Sequence, residues 1–285
     1  MTLRLCLAAA IGFMVSALIG IFLVPYLRRI KAGQSIREDG PTWHMSKSGT
    51  PTMGGLMFIA AVLVVCLTVG FQSMLEGYYG HIFCFVFALV FGAIGFLDDY
   101  EKLKKKQNLG LRAWQKFLLQ LIAAIVFIYL MRSFGYVTSE VYVPFFQVTF
   151  HLNDVVYTLL AAFVITGTVN AVNLTDGIDG LAAGTSIPVC LFFVAVTFLW
   201  ARGDISVGIF ASGLAGGLLG FLLYNFNPAK IFMGDTGSLF LGGAVAAMAF
   251  AYDMPLILVT LGIMYIIETL SDIIQVGYFK SKSSK

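Results

Sequence analysis

Long apolar stretches separated by short polar ones run through the whole chain. The first covers residues 5–27 and ends at Arg28 and Arg29. At about 1.5 Å per residue, it is long enough to cross the roughly 30 Å hydrocarbon layer of a bilayer as a helix. Eight further stretches each predict another helix: 54–71, 81–97, 113–131, 155–172, 181–200, 205–224, 238–252 and 255–279. The pattern therefore predicts about nine membrane-spanning helices.

The last stretch differs from the others because it carries Glu268, Asp272 and Gln275. A polar stripe on a helix makes it amphipathic, so we expect this segment to be bent, tilted or only partly embedded. No segment shows the alternating ten-residue pattern that is typical of a membrane β-barrel. We therefore expect no strands.

Composition agrees with the pattern. The 285 residues are 59% hydrophobic and 12% charged, with a mean hydropathy of +0.89, which leaves too little polar surface for a soluble protein. The fold class is therefore all-α, a polytopic integral membrane protein with a single embedded domain over residues 1–285. Nucleic acid is not an expected partner. The four cysteines lie in apolar stretches without a C-x-x-C pair, so we expect buried free thiols.

The basic residues are distributed unevenly between the two ends of the predicted helices. Loops that join successive spans alternate between the faces of the membrane, and 15 of the 18 Lys and Arg residues fall at one face. The other face holds Arg4, Arg132 and Arg202. Because cytoplasmic loops are enriched in Lys and Arg, the N-terminus is predicted outside and the basic face in the cytoplasm.

Polar motifs gather at this predicted cytoplasmic face. Residues 46–55 place Lys47 and Thr52 in a glycine-containing loop that could bind phosphate oxygens, with a helix cap at Thr52 as the structural alternative. Residues 95–106 place Asp98 and Asp99 before a basic cluster. Two adjacent carboxylates suit a hard cation or a proton acceptor, and the alternative is a helix end neutralised by lysines.

Two more motifs follow at the same face. Residues 170–184 set Asp176 and Asp179 among glycines and asparagines, beside apolar stretches. A carboxylate at the centre of a membrane span costs about 3 kcal/mol, so acidic residues in such places usually serve a function. Residues 224–238 place Asp235 between two glycines just before another span, where the alternative role is a helix cap.

Together these motifs indicate a particular chemistry. Carboxylates without soft ligands favour Mg²⁺, with Mn²⁺ as the alternative ion, and lysines nearby would stabilise a diphosphate. Phosphoryl transfer depends mainly on positioning and electrostatics, so it requires no nucleophilic Ser or Cys. The residues therefore favour metal-assisted phosphoryl transfer to or from a lipid phosphate.

Four stretches carry a resemblance to a known family. They are Gly49-Thr-Pro-Thr-Met-Gly-Gly55, Leu97-Asp-Asp-Tyr100, the segment 170–180 and Phe232-Met-Gly-Asp-Thr-Gly-Ser238. In this order they resemble the phospho-N-acetylmuramoyl-pentapeptide transferases of the polyprenyl-phosphate N-acetylhexosamine-1-phosphate transferase superfamily. The resemblance implies transfer of phospho-MurNAc-pentapeptide from UDP-MurNAc-pentapeptide to undecaprenyl phosphate, which gives lipid I and UMP in peptidoglycan synthesis. It also implies Mg²⁺, a homodimer, and a bacterial inner membrane whose lipids surround the chain.

The resemblance also assigns roles to residues. It implies that Asp98 and Asp99 form the catalytic acidic pair, that Asp98 deprotonates the lipid phosphate, and that Asp235 is a catalytic residue and the main Mg²⁺ ligand, with Asp98 and Asp99 as the other metal ligands. It implies substrate contacts at Lys47, Thr52, Lys102, Lys106, Lys116, Asn173, Asp176, Asp179, Asn225 and Phe232. Direct attack of the lipid phosphate fits a site without a covalent nucleophile, and a two-step route through an aspartyl-phosphate is the alternative.

The sequence departs from the family pattern at one place. The family has a tenth span and, before it, a cytoplasmic loop with consecutive histidines after a proline. This sequence ends at residues 279–285 and contains no His-His pair. Either the chain is truncated before that loop and span, or this sequence omits them, and a real absence would remove a part of the sugar-nucleotide site.

Two other functions remain as alternatives. A sister enzyme that transfers N-acetylglucosamine-1-phosphate to make O-antigen or teichoic-acid lipids would share Asp98, Asp99 and Asp235, but the segments 49–55 and 170–184 favour the muramoyl enzymes. A transporter would place polar residues at mid-span depth, whereas here they cluster at span ends on one face.

Overall fold

The computed structural model describes residues 1–30, 49–105, 107, 109–143, 146–200 and 203–283. Eleven helices occupy most of this part of the chain. They are α1 (Thr2–Arg29), α2 (Leu56–Leu67), α3 (Val69–Leu75), α4 (Gly80–Lys105), α5 (Ala113–Ser133), α6 (Asp154–Thr175), α7 (Leu181–Leu199), α8 (Ile205–Asn225), α9 (Gly234–Ala251), α10 (Ile257–Leu261) and α11 (Ile263–Ser283).

The helices confirm an all-α multi-pass membrane protein. Within the described ranges, seven helices are long and apolar enough to cross a membrane, and the pair α2 and α3, bent by 42°, would make an eighth. The expected ninth span folds instead as α10 and α11, which are separated at Gly262. Helix α11 carries the charges of Glu268 and Asp272 and is not among the candidate spans.

The expectation of no strands was wrong. A short antiparallel hairpin joins α5 to α6, with β1 (Glu140–Val143) paired to β2 (Val148–His151) so that Val143 faces Val148. Each strand has four residues and contains the β-branched residues that fit a pleated surface. The ten-residue criterion detects only strands that span a membrane, so it could not detect this hairpin in a loop.

Helices α8 and α9 form the centre of the bundle. Nearly every side chain of α9 is buried, as are most of α8, whereas α1 and α5 expose large apolar side chains along their outer faces. Inside a membrane the hydrophobic effect does not drive helices together. They associate through close packing, which small residues permit. The glycine- and alanine-rich sequences of α8 and α9 therefore place them inside, and the bulkier helices lie around them.

The two ends of the bundle are organised differently. At one end, the C-terminal ends of α4 and α6 meet the N-terminal ends of α5 and α9, and most of the predicted site residues lie there. The other end is held by polar contacts around the hairpin: Arg132 donates to Ser139 at 2.6 Å, and Thr138 donates to Asp253 at 2.7 Å. The first end therefore positions the candidate site.

Candidate active site

Three carboxylates from two helices meet at this end of the bundle. Asp98 and Asp99 lie on α4, and Asp235 lies in the first turn of α9. One oxygen atom of each carboxylate lies within 4.8 Å of the others. Asp98 and Asp99 are almost completely buried. Oxygen ligands at this separation suit a hard divalent cation such as Mg²⁺.

Two lysines neutralise part of this charge. The Nζ atom of Lys102 lies 2.6 Å from Asp98 Oδ2 and 2.7 Å from Asp235 Oδ2, and Lys116 Nζ lies 2.9 Å from the same Asp235 oxygen. Both lysine side chains are less than one-fifth exposed. Three carboxylates against two ammonium groups leave one negative charge uncompensated, so the residues present fit an added cation.

The backbones of α4 and α9 touch where the acids meet. A Cβ atom added to Gly95 of α4 would lie 2.0 Å from the Asp235 carbonyl oxygen, so a larger residue would push the helices apart. Gly234 has a φ of +70°, and an added Cβ there would lie 2.6 Å from Asp99 Oδ2. Glycine is required at both positions, because the first needs close approach and the second a left-handed backbone.

Asp99 caps helix α9 from the neighbouring helix. Its Oδ1 atom accepts from the Asp235 backbone N–H at 3.2 Å, and its Oδ2 atom accepts from the Thr236 N–H at 2.9 Å and from the Thr236 hydroxyl at 2.7 Å. The first amides of a helix lack partners within the helix and carry partial positive charge, which a carboxylate stabilises. Asp99, and not Asp235, therefore acts as the helix cap.

Replacing Asp99 should cost stability. In Asp99→Ala the donors of Asp235 and Thr236 lose their acceptor inside the protein, and we expect a loss of about 3 kcal/mol of unfolding free energy. Asp99→Asn keeps one carbonyl oxygen and should lose less. Melting temperatures of the detergent-solubilised protein would show this order, with Asp98→Asn as the control. Equal melting temperatures for wild type and Asp99→Ala would contradict the capping role.

Asn173 holds the Asp235 carboxylate from the side of α6. Its Nδ2 atom donates to Asp235 Oδ1 at 2.8 Å and to Ser238 Oγ at 2.6 Å. Sequence reasoning assigned no role to Ser238, although it closes the motif 232–238. The signal was its position three residues after Asp235, which places both side chains on one face of α9.

The remaining acids of the third motif lie in the connection between α6 and α7. Asp176 directly follows Thr175, the last residue of α6, and burial, followed by the charges of Asp235, Asp99 and Asp179, raises the pKa of its carboxyl group. Asp179 accepts from the Asn227 side chain and from the Ala229 backbone N–H, both at 3.1 Å. Asp179 therefore ties the third motif to the fourth.

Other predicted contacts connect the motifs through hydrogen bonds. Asn225 is buried, accepts from the Gly180 N–H at 3.0 Å and donates to the Ile231 carbonyl at 2.9 Å, so both ends of its amide are engaged. The backbone of Phe232 donates to the Pro51 carbonyl and accepts from the Gly54 N–H, each at 2.8 Å. The first and fourth motifs are thereby paired.

Thr52 lies deep in the same region. It is 2% exposed, and within the described part of the chain its hydroxyl has no hydrogen-bond partner. The Thr52 hydroxyl oxygen would lie only 2.5 Å from a Cβ atom built on Gly234, so Thr52 lies next to the start of α9. Of the other predicted residues, Lys47 and Lys106 lie outside the described residues.

Comparisons with known proteins agree with this geometry. Residues 81–253 match the pattern of glycosyl transferase family 4, and residues 47–59 match signature 1 of the phospho-N-acetylmuramoyl-pentapeptide-transferases. Proteins named phospho-N-acetylmuramoyl-pentapeptide-transferase are similar over nearly the whole chain. The one from Heliobacterium modesticaldum is 51% identical over 279 residues, covering 96% of this chain and 81% of its own length. The one from Caldanaerobacter subterraneus subsp. tengcongensis is 45% identical over 282 residues, covering 97% and 84%.

Proposed function

The chain belongs to the phospho-N-acetylmuramoyl-pentapeptide-transferase family, and we propose that it transfers phospho-MurNAc-pentapeptide from UDP-MurNAc-pentapeptide to undecaprenyl phosphate. The products are lipid I and UMP, in peptidoglycan synthesis. One observation carries the proposal: three carboxylates and two lysines meet at one end of a membrane bundle. A soluble and a membrane-bound reactant can both reach such a place.

Asp98, Asp99 and Asp235 would hold the divalent cation, with Mg²⁺ as the expected ion and Mn²⁺ as the alternative. When bound, the ion supplies polarisation of phosphate oxygens and compensates their charge. The uncompensated negative charge of the acid and lysine cluster supports this assignment. An ionised carboxylate has about four acceptor sites and Asp99 uses three of them for α9, so Asp99 can contact the ion and cap the helix as well.

The residues of the chain would divide the work as follows. Asp98 accepts the proton of the lipid phosphate, and its position is fixed by the Leu111 N–H, which donates to Asp98 Oδ1 at 2.8 Å. Lys102 and Lys116 bind phosphate oxygens. A lipid phosphate oxygen forms a bond to the phosphorus that bears the sugar, the bond from that phosphorus to UMP breaks, and UMP leaves.

Further contacts to the nucleotide sugar belong to residues around the acids. Asn173 is hydrogen-bonded to Asp235. The other contacts would come from Lys47, Thr52, Lys106, Asp176, Asp179, Asn225 and Phe232. This part of the proposal rests on the family pattern and on the hydrogen bonds that bring the motifs together.

The site would lie at the cytoplasmic face of a bacterial plasma membrane, with the N-terminus outside and the protein acting as a homodimer. The excess of Lys and Arg at the end that carries the acids supports this orientation.

The test is UMP release by purified protein in the presence of undecaprenyl phosphate. We expect release with UDP-MurNAc-pentapeptide and Mg²⁺, partial replacement of Mg²⁺ by Mn²⁺, and loss of release with a chelator. UDP-N-acetylglucosamine in place of the muramoyl donor is the matched control and should give no UMP. Release with UDP-N-acetylglucosamine alone would assign the chain to the sister transferases, and release with neither donor would contradict the proposal.

A further inference from the structure

A buried glutamine of α5 lies beneath the acid and lysine cluster. Gln120 is completely buried, and its Nε2 atom has no hydrogen-bond partner among the described residues. Its Oε1 atom accepts from Asn170 Nδ2 of α6 at 2.6 Å. A buried amide without a partner is costly, and each such exception calls for an explanation. The hydrogen bond from Asn170 to Gln120 provides an explanation for the buried amide.

The orientation of Asn170 follows from its neighbours. Its Nδ2 atom donates to Gln120 Oε1 and also to the Thr166 carbonyl at 2.8 Å. A backbone carbonyl can only accept, so the nitrogen of the Asn170 amide must face Thr166 and the oxygen must point away. Gln120 supplies the second acceptor. Both hydrogens of Asn170 Nδ2 are therefore used inside the protein, and Oδ1 remains available.

Asn170 lines a cavity that adjoins the candidate active site. The cavity has a volume of about 430 Å³ and is lined by Ala113, Trp114, Lys116, Phe117 and Asn170. Lys116 also contacts Asp235, so one lining residue of the cavity belongs to the acid and lysine cluster. Lys116 and Asn170 line the same cavity, and an ammonium group together with an amide oxygen suits an anion that also carries a hydroxyl, such as a protonated phosphate monoester.

The wall of this cavity indicates which reactant enters it. Trp114 is 60% exposed and Phe117 is 53% exposed, on the outer face of α5. On a membrane-spanning helix, large exposed aromatic side chains face lipid or the interface. The cavity therefore opens toward the lipid side of α5, from which the lipid-borne phosphate arrives.

We propose that Gln120 is a positioning residue for the acceptor lipid: it fixes the Asn170 carboxamide so that Oδ1 accepts from the P–OH group of the lipid phosphate while Lys116 binds its negative charge, in the bound state that precedes proton transfer to Asp98. This inference rests on the proposed function, because that function supplies a lipid phosphate as the acceptor. Gln120 does not touch the phosphate, and its effect passes through Asn170.

The test compares two replacements of Gln120. Gln120→Met has a similar size but no acceptor, whereas Gln120→Glu, kept neutral by burial, retains an acceptor oxygen toward Asn170. We expect Gln120→Met to weaken equilibrium binding of undecaprenyl phosphate about tenfold, the loss of one well-placed hydrogen bond. Gln120→Glu should bind nearly as the wild type does. Gln275→Met on the exposed part of α11 is the matched control and should bind as the wild type does.

Two further readouts separate positioning from general damage. The Mn²⁺ affinity and the affinity for UDP-MurNAc-pentapeptide should stay unchanged in both Gln120 variants. Wild-type lipid binding in Gln120→Met, equal losses in the Met and Glu variants, or a parallel loss of Mn²⁺ affinity would each overturn the inference. If the wild-type chain itself binds no undecaprenyl phosphate, then the proposed function fails as well, which a defect confined to Gln120→Met would not imply.

Discussion

Asp235→Asn is expected to lower the rate of UMP release by about a thousandfold, comparable to the loss of a charge-stabilising group at a reacting centre. The Asp235 carboxylate accepts from three donors: Lys102 and Lys116 at Oδ2, and Asn173 at Oδ1. An amide at this position would turn a donor toward other donors and would remove the charge that both lysines share. The measurement is initial-rate UMP release, with Mn²⁺ binding by electron paramagnetic resonance beside it.

The control for Asp235→Asn is Glu101→Gln. Glu101 lies on α4 two residues after Asp99, but its carboxylate pairs with Lys105 at 2.5 Å, outside the acid cluster. Glu101→Gln should therefore keep both turnover and Mn²⁺ binding. Wild-type turnover in Asp235→Asn, or an equal defect in Glu101→Gln, would remove the assigned role of Asp235.

Asp98→Asn should also reduce turnover by about a thousandfold, within the range that a positioned general base contributes. The amide oxygen can still accept from the Leu111 N–H, so the folded structure should persist. It can no longer accept a proton. UMP release measures the effect, and an unchanged melting temperature shows that the variant is folded. Turnover close to that of the wild type would mean that another group deprotonates the lipid phosphate.

The same two variants bear on the order of the reaction. In a direct transfer, no label from the donor phosphate stays on the protein when the acceptor lipid is omitted. A two-step route would instead leave a labelled aspartyl-phosphate, and only on an aspartate whose replacement by Asn prevents the labelling. Asp98 and Asp235 are the two carboxylates to compare.

Hydropathy predicted the helices well, and their ends poorly. The prediction ended one helix at residue 97, but α4 continues to Lys105. Hydropathy falls at the first charged residue, whereas the helical hydrogen bonds continue because Asp98 pairs with Lys102 and Glu101 with Lys105 at i,i+4 spacing. The extension matters, because it places Asp98 and Lys102 on one helical face.

The meeting of the acids could be predicted, and the contacts that hold them could not. Alternation of loops between the two faces places Asp98 and Asp235 at the same end, and the structure brings them together. Gln120 carries no such signal, because an uncharged polar residue within an apolar stretch reveals nothing about its partner. Its role depends on which residues of other helices lie opposite it, and that follows only from packing.

The cap that Asp99 forms on α9 also has a consequence for biosynthesis. Asp99 and the amides it binds are more than 130 residues apart in the chain. While the protein is being inserted, α4 enters the membrane with both its acids long before α9 is made. The cluster stays incomplete during that interval, because Asp235 and the amides that Asp99 caps belong to α9, so the site is assembled only when α9 is in place.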